Sequence, residues 1–370
     1  MEELFNKLAE SLVFSTQAVE GSKVYFANKE LYEAIELNNN NFHQINADIE
    51  KNIDQNKNKK IAFIDGGNAE ILSTSSFTLH FLRIYCVVFQ NNKKTSDIKF
   101  EGFVFVNDVP KENKISHSIR FFPVTKNSFY EYFKEMFSKI KFEADGLGMN
   151  IAKESQEDYN GINRLIIIPS LIRRFMELSL AAFATRSLDK DDLIVLDGTL
   201  QAFHSGEDKF MNELFNQASQ KEIIVSALSK TSRLLTEQGK PLFSSLDKMT
   251  ELNNWYYNPI VKIRNPKHNS ELFALKLHDK AKYAFRFELY NAVKDKIEQV
   301  TSLLALNSSD PVFLGYPYGL VVADKFARVS NQEVDYFRTL IKSKSGKNWQ
   351  DIESDLTSLN AHNILDNIEF

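Results

Sequence analysis

Residues 61–108 constrain the fold more than any other part of the chain. Three segments rich in β-branched and aromatic residues follow one another: "IAFIDGGNAE" (61–70), "TLHFLRIYCVVFQ" (78–90) and "IKFEGFVFVND" (98–108). Only the polar link "NNKKTSD" (91–97) separates the last two. A link that short cannot cross over a sheet, so the segments are expected to pair antiparallel. "SHSIRFFPV" (116–124) is a candidate further strand. Beyond residue 128 the pattern changes. "SFYEYFKEMFSKIKFEADG" (128–146) has helical spacing and ends at Gly146, and "PSLIRRFMELSLAAFATRSL" (169–188) is an apolar helix with Pro169 at its start. A buried strand "DLIVLDG" (192–198), a helix "EDKFMNELFNQAS" (207–219) and a strand "EIIVSALSK" (222–230) follow. Such alternation calls for parallel strands with helical crossovers, and the two patterns together imply a mixed α/β sheet flanked by helices.

Strand character returns over 255–290 in "WYYNPIVKI", "ELFALKLH" and "YAFRFELY". Helical patterns close the chain at 290–306 and 331–343. Leu4, Leu8 and Leu12 recur at i+4, so residues 1–57 are expected to form an N-terminal helical arm. Residues 58–370 then make one domain, with a strand-rich insertion around 240–290 and C-terminal helices.

The composition narrows the function classes. The formal net charge is −4, so a nucleic-acid site has to be a local groove rather than a whole basic face. The single Cys86 excludes an intramolecular disulfide and a cysteine-rich zinc site, and its place in "RIYCVVF" marks it as a core residue. The start "MEELFNKLAE" is acidic and amphipathic, unlike a signal peptide, and no apolar run reaches about 18 residues. A soluble, cytoplasmic protein with no membrane partner is therefore expected. None of the seven His has HxxxH spacing, and neither a P-loop nor a GxGxxG fingerprint is present.

Three acids stand out. Asp65 and Asp197 each follow an apolar strand and precede glycine, in "FIDGG" and "VLDGT". An Asp-Gly pair at a strand end is ordinary turn chemistry, and the carboxyl end of a buried strand is also where α/β folds place ligands. Glu177 lies in a helix apolar nearly all round, where a carboxylate needs a partner or a metal. Arg173 and Arg174, one turn earlier, are the simplest partners. If the three acids converge, they make a hard-oxygen cluster suited to Mg²⁺ or Mn²⁺. One or two such ions activate water and offset charge on a phosphate during in-line displacement. Lys230 and Arg233, in "SALSKTSRLL" (226–235), follow a strand end, where cations hold a phosphate backbone or begin a solvated helix.

These pieces, in this order, resemble the NurA nucleases of DNA end resection. The carrying motifs are "FIDGG", "RRFMELSLA", "VLDGTL", "ALSKTSRLL" and, most specific, "FLGYPYGLVVADKFARVS" (313–330). The resemblance implies an RNase H-like core and a Mn²⁺-dependent 5′→3′ exonuclease on single- and double-stranded DNA, with endonuclease cutting of single strands. It also implies a ring-shaped homodimer docked on a hexameric HerA-type translocase, in double-strand-break repair. The family's metal-binding acids map onto Asp65, Glu177 and Asp197, and a family tyrosine onto Tyr316. Where some members have a histidine, this chain has Asp324, a natural fourth hard ligand. Its first motif is DGGN where many members have DGS. In a ring only the inner wall has to be basic; "VKIRNPKH" (261–268), with Arg264 and Lys267, and "KSKSGK" (342–347) are candidates for it. Two competing readings are an actin-like or sugar-kinase-like ATPase, for which 13 Gly are few, and a non-catalytic ring adaptor for a translocase.

Overall fold

The structure, a computed structural model, describes residues 4–8, 21–45, 58–111, 114–139 and 162–356 of the 370. Its strands are β1 (Tyr32–Ala34), β2 (Phe42–Gln44), β3 (Lys60–Ser73), β4 (Phe77–Gln90), β5 (Lys93–Lys111), β6 (Lys114–Pro123), β7 (Leu193–Asp197), β8 (Ile224–Ser229), β9 (Trp255–Tyr257), β10 (Val261–Ile263), β11 (Ser270–Lys276) and β12 (Phe285–Tyr290). The helices are α1 (Ser128–Lys139), α2 (Ile162–Ala184), α3 (Glu207–Gln220), α4 (Leu242–Met249), α5 (Ile297–Leu306), α6 (Tyr318–Ala327) and α7 (Asn331–Ser345).

Ten strands form one sheet in the order β2-β9-β11-β12-β8-β7-β3-β4-β5-β6, and β1 pairs with β10 apart from it. The centre is the mixed sheet the sequence patterns call for, in the RNase H-like arrangement that the family resemblance implies. β3, β4 and β5 form an antiparallel meander, and β7 and β8 run parallel to β3 on its other side. The β4–β5 turn is tighter than "NNKKTSD" implied. Asn91 and Asn92 both take positive φ, which asparagine tolerates, and β5 begins at once at Lys93.

Strand periodicity sorts the core into two layers. Ala62 and Ile64 of β3, with Ile194, Leu196 and Val225, pack on α1, α2 and α3. Ile61 and Phe63, with Leu193, Val195 and Leu228, pack on α5 and α6 on the other face. Cys86 lies fully buried in the first layer, as its apolar run implied. No helix among the described residues is long and apolar enough to cross a membrane.

Two sequence expectations need correction. Residues 4–8 are helical, but 21–45 form turns, β1 and β2, with β2 adding an edge strand beside β9; the rest of the expected arm lies outside the described residues. The short strands there are anchored by packing that periodicity cannot show: Phe42 sits on Trp255 and Tyr257 with ring centroids 5.1 and 4.7 Å apart. Helix α2 starts at Ile162, so Pro169 lies inside it rather than at its start. Tertiary burial of Leu165 and Ile168 outweighs the hydrogen bond that a proline cannot make. Helix α1 is described as far as Lys139, and the expected stop at Gly146 lies outside the described residues.

Candidate active site

The strand carrying Asp65 does not end there. β3 runs on through Gly66 and Gly67 to Ser73, paired with β4 except at a bulge between Glu70 and Leu72. The two glycines are not a turn; they make room on opposite faces. A Cβ on Gly66 would lie 2.5 Å from Glu177 Oε1, and one on Gly67 would lie 2.2 Å from the backbone oxygen of Ala327. Gly66 is therefore where α2 presses on the sheet, and Gly67 is where the end of α6 does. The same requirement reappears on α6 itself, where a Cβ on Gly319 would enter the Phe63 ring at 2.0 Å.

Alternation then decides which groups meet. Residues 61, 63 and 65 of β3 and 193, 195 and 197 of β7 face α6. Register places Ile64 beside Leu196 and Asp197 beside Leu228, so Asp65, Asp197 and the residue after β8, Lys230, come together. Asp324 descends on them from α6. One carboxylate oxygen from each of Asp65, Asp197 and Asp324 lies within 4.8 Å of the others. Lys230 Nζ sits among them, 2.6 Å from Asp197, 2.8 Å from Asp324 and 3.7 Å from Asp65. Arg328 also holds Asp324, at 2.8 Å.

The electrostatics reflect this crowding. Burial, then Asp197 and Glu177, push the Asp65 carboxyl up to about 8 against the pull of Lys230 and the Gly66 N–H. Burial works against the Lys230 ammonium, but Asp197, Asp324 and Asp65 outweigh it and raise its pKa. Burial also opposes ionisation of Asp324, yet Lys230 and Arg328 hold it below the usual carboxylate range. Tyr316 lies over Lys230, its ring centre 6.0 Å from Nζ. Its buried hydroxyl has no hydrogen-bond partner among the described residues, and burial with the three aspartates raises its pKa.

Glu177 is placed differently from the aspartates. It lies under Gly66 on the α2 face, paired with Arg173 and, at 3.6 Å, with Arg174. Burial lifts its pKa against the two arginines. Arg173 also donates to the Gly66 carbonyl at 2.8 Å, which clamps α2 to β3 beside Asp65. Of the basic candidates, Arg233 is exposed, Arg264 is engaged with Glu33 across β1 and β10, and the Lys267 carbonyl accepts from Ala202 N at 2.8 Å. No contact among the described residues ties these three to the acids.

The sequence left two supporting groups unread. Arg174 bonds Glu207 at 3.0 Å and the Thr199 carbonyl at 2.6 Å, while buried Glu207 also accepts from Phe203 N and His204 N. Buried Glu288 accepts from Leu200 N at 2.8 Å, Ser270 Oγ at 3.0 Å and His268 Nε2 at 2.9 Å, and it pairs with Arg286. Both carboxylates fix the loop that leaves Asp197. Acids at a helix start and in the alternating strand "FRFELY" carry no local signal of burial, because their partners come from elsewhere in the chain.

The donor set fits a divalent cation. Three hard carboxylate oxygens converge at a half-buried point, with the Lys230 ammonium among them and an unsatisfied phenol beside them.

Residues 59–329 match the NurA domain family. No curated protein matches the chain. Among solved structures, it is similar to the NurA nuclease from Sulfolobus solfataricus, with 17% identity over 79% of this chain and 86% of that one and a TM-score of 0.45. It is similar to Ciona intestinalis endonuclease V in complex with a 24mer DNA containing an inosine followed by a ribo-adenosine, with 13% identity over 78% and 95% and a TM-score of 0.37. A NurA bound to dAMP and manganese shares 9% identity over 79% and 90%, with a TM-score of 0.39.

Proposed function

This chain belongs to the NurA domain family, and on that premise we propose that it is a Mn²⁺- or Mg²⁺-dependent DNA nuclease. The observation that carries the reading is the convergence of Asp65, Asp197 and Asp324 around Lys230. Asp65, Asp197 and Asp324 would hold one or two ions, with Glu177 as the further metal-site acid the family resemblance implies. Such an ion, when bound, supplies Lewis acidity toward water and the scissile phosphate.

The chain's own residues do the rest. Lys230 is fixed by the aspartates and stays charged, so its ammonium is a ready partner for a phosphate oxygen. The Tyr316 hydroxyl, buried near the three aspartates and without a hydrogen-bond partner among the described residues, would donate to that phosphate or to the attacking water. Glu177 acts from across the sheet: its charge raises the proton affinity of Asp65, and its arginine pair holds β3 in place. Arg233, exposed past β8, extends the contact to the DNA backbone, and Arg264 and Lys267 are further basic candidates for it.

The finer activity is read from the family resemblance: 5′→3′ exonuclease action on single- and double-stranded DNA, endonuclease cutting of single strands, a ring-shaped homodimer, and work with a hexameric HerA-type translocase in double-strand-break repair. End-labelled linear DNA incubated with Mn²⁺, Mg²⁺ or EDTA tests the core of it. The expected outcome is degradation only with metal, abolished by Asp65→Ala in a protein with a wild-type circular dichroism spectrum. Cutting in EDTA, or full cutting by the folded variant, would overturn the assignment.

A further inference from the structure

Exposed aromatic side chains scattered singly over a surface need no explanation. Tyr283 and Phe313 are not scattered. Their rings lie 6.2 Å apart and nearly parallel, at 11°, and both are open to solvent, Tyr283 at 58% and Phe313 at 39%. Val312 beside them is 77% exposed. Phe313 is in edge contact with Tyr316 at 5.3 Å, and Tyr316 lies over Lys230. An unbroken series of rings therefore runs from the acidic cleft to the surface.

The two loops that carry this pair are fixed to each other. Gly315 has φ +85°, and a Cβ there would lie 2.4 Å from the Ala281 side chain, so the 308–317 loop can close on the 278–283 loop only with glycine at this position. Gly315 N donates to Ser308 O at 2.9 Å, Tyr316 N to Phe313 O at 3.1 Å and Ala281 N to His278 O at 3.0 Å. The rings are thus presented in a set arrangement. Lys280 and Lys282 flank Tyr283 and are exposed, while Asp279 is turned to His278 at 2.8 Å.

Flat apolar faces, flanking cations and continuity with a phosphate-directed site match the chemistry of unpaired nucleobases on a phosphate chain. Paired bases already stack on each other inside a duplex, so only a single strand offers a free face. Resting on the nuclease reading above, we propose that Tyr283 and Phe313 form a stacking platform that holds the bases of a single-stranded DNA end beside the acidic site.

The test uses the full chain with Ca²⁺ in place of Mn²⁺ and two fluorescent probes of equal length: an oligodeoxythymidylate and a strand of abasic residues. Tyr283→Ala and Phe313→Ala should each weaken oligodeoxythymidylate binding about five- to a hundredfold. Binding of the abasic strand and the salt slope should stay at wild-type values, because the phosphate contacts are untouched. Tyr283→Phe and Phe313→Tyr should restore binding. Equal losses on both probes, or none, would overturn the platform. So would a wild-type dimer that either alanine dissociates in sedimentation, which would place this face between copies of the chain. The two readings fail separately. If the wild type does not cut labelled DNA with Mn²⁺, the nuclease assignment falls and the platform with it. If the wild type cuts and the alanine variants bind normally, only the platform falls.

Discussion

Replacing Gly67 with alanine tests how β3 and α6 build the site together. The new Cβ would stand 2.2 Å from the Ala327 oxygen and 3.0 Å from its carbon. An unstrained carbon–oxygen contact is about 3.3 Å or longer, so one side must yield by about 1 Å. β3 resists, because Gly67 is paired with Arg83 of β4 and the strand is held by β7 up to Ile64. The end of α6 has to lift. Overpacking of this kind costs about 1–3 kcal/mol, and the lost freedom of the unfolded chain returns about 0.4–1 kcal/mol. A net destabilisation of about 1–2 kcal/mol is expected in urea titrations. The catalytic effect should be larger than the stability effect. Asp324 lies one turn before Ala327 on the same helix, and its carbonyl accepts from Arg328 N, so it moves with the helix end. A misplacement of about 1 Å at a catalytic group can cost about a hundredfold in rate. DNA cleavage should therefore fall by at least about tenfold at temperatures where the variant is fully folded. Gly66→Ala meets side-chain ends, Glu177 Oε1 and Ile84 Cδ1, and should cost less activity. A Gly67→Ala protein with wild-type stability and wild-type cleavage would refute the proposed role of these glycines.

Removing Arg174 should strip cover from two buried acids at once, since it pairs with both Glu177 and Glu207; Arg174→Met is expected to lose about 3–5 kcal/mol in denaturant titrations. Mn²⁺ should raise the thermal midpoint of the metal-free protein, by a free energy of about 2.7 kcal/mol at a hundred times the dissociation constant, and Asp197→Asn or Asp324→Asn should remove that gain. Glu288 supplies a pH test. Burial opposes its charge, but Arg286, His268 and the Leu200 N–H win and hold it down at about 2, against 4.5 for an ordinary glutamate. Its contribution to stability is thus complete above about pH 4.5 and is lost as pH falls toward about 2. The stability gap between wild type and Glu288→Gln should be flat at neutral pH and close across that acid window, as read by urea midpoints.

The central sheet was legible because its signals are local. Hairpin links, β-branched runs and strand–helix alternation all lie within one element or between neighbours, and β3 to β8 obey them. Asp65 was legible as a candidate but not as a mid-strand residue. "DGG" has turn chemistry, and the reason for two glycines in a strand, Glu177 below and Ala327 above, lies more than a hundred residues away in sequence. Glu177 was legible as a buried acid with arginine partners, since i, i+3 and i, i+4 spacing is visible in the helix. Its place against Gly66 was not, because that depends on which face of β3 its helix covers. Asp324 entered through a resemblance, and the structure brings it to the two strand aspartates. The N-terminal segment misled because leucine spacing over 4–12 says nothing about 21–45, where β1 and β2 take their pairing from β10 and β9.

Helix α6 and strand β3 touch at two pins, Gly319 on Phe63 and Ala327 on Gly67. Between the pins the helix rises about 12 Å over eight residues, and the strand advances about 13 Å over four. The two elements act as matched rulers laid side by side in the same direction. One extra residue between the pins would overshoot the second contact and rotate the remainder of the helix by about 100° around its axis. The height and heading of Asp324 above the cleft are therefore dictated by a length match. Chain-length change near this site can be absorbed before Gly319 or after Ala327, and not between them.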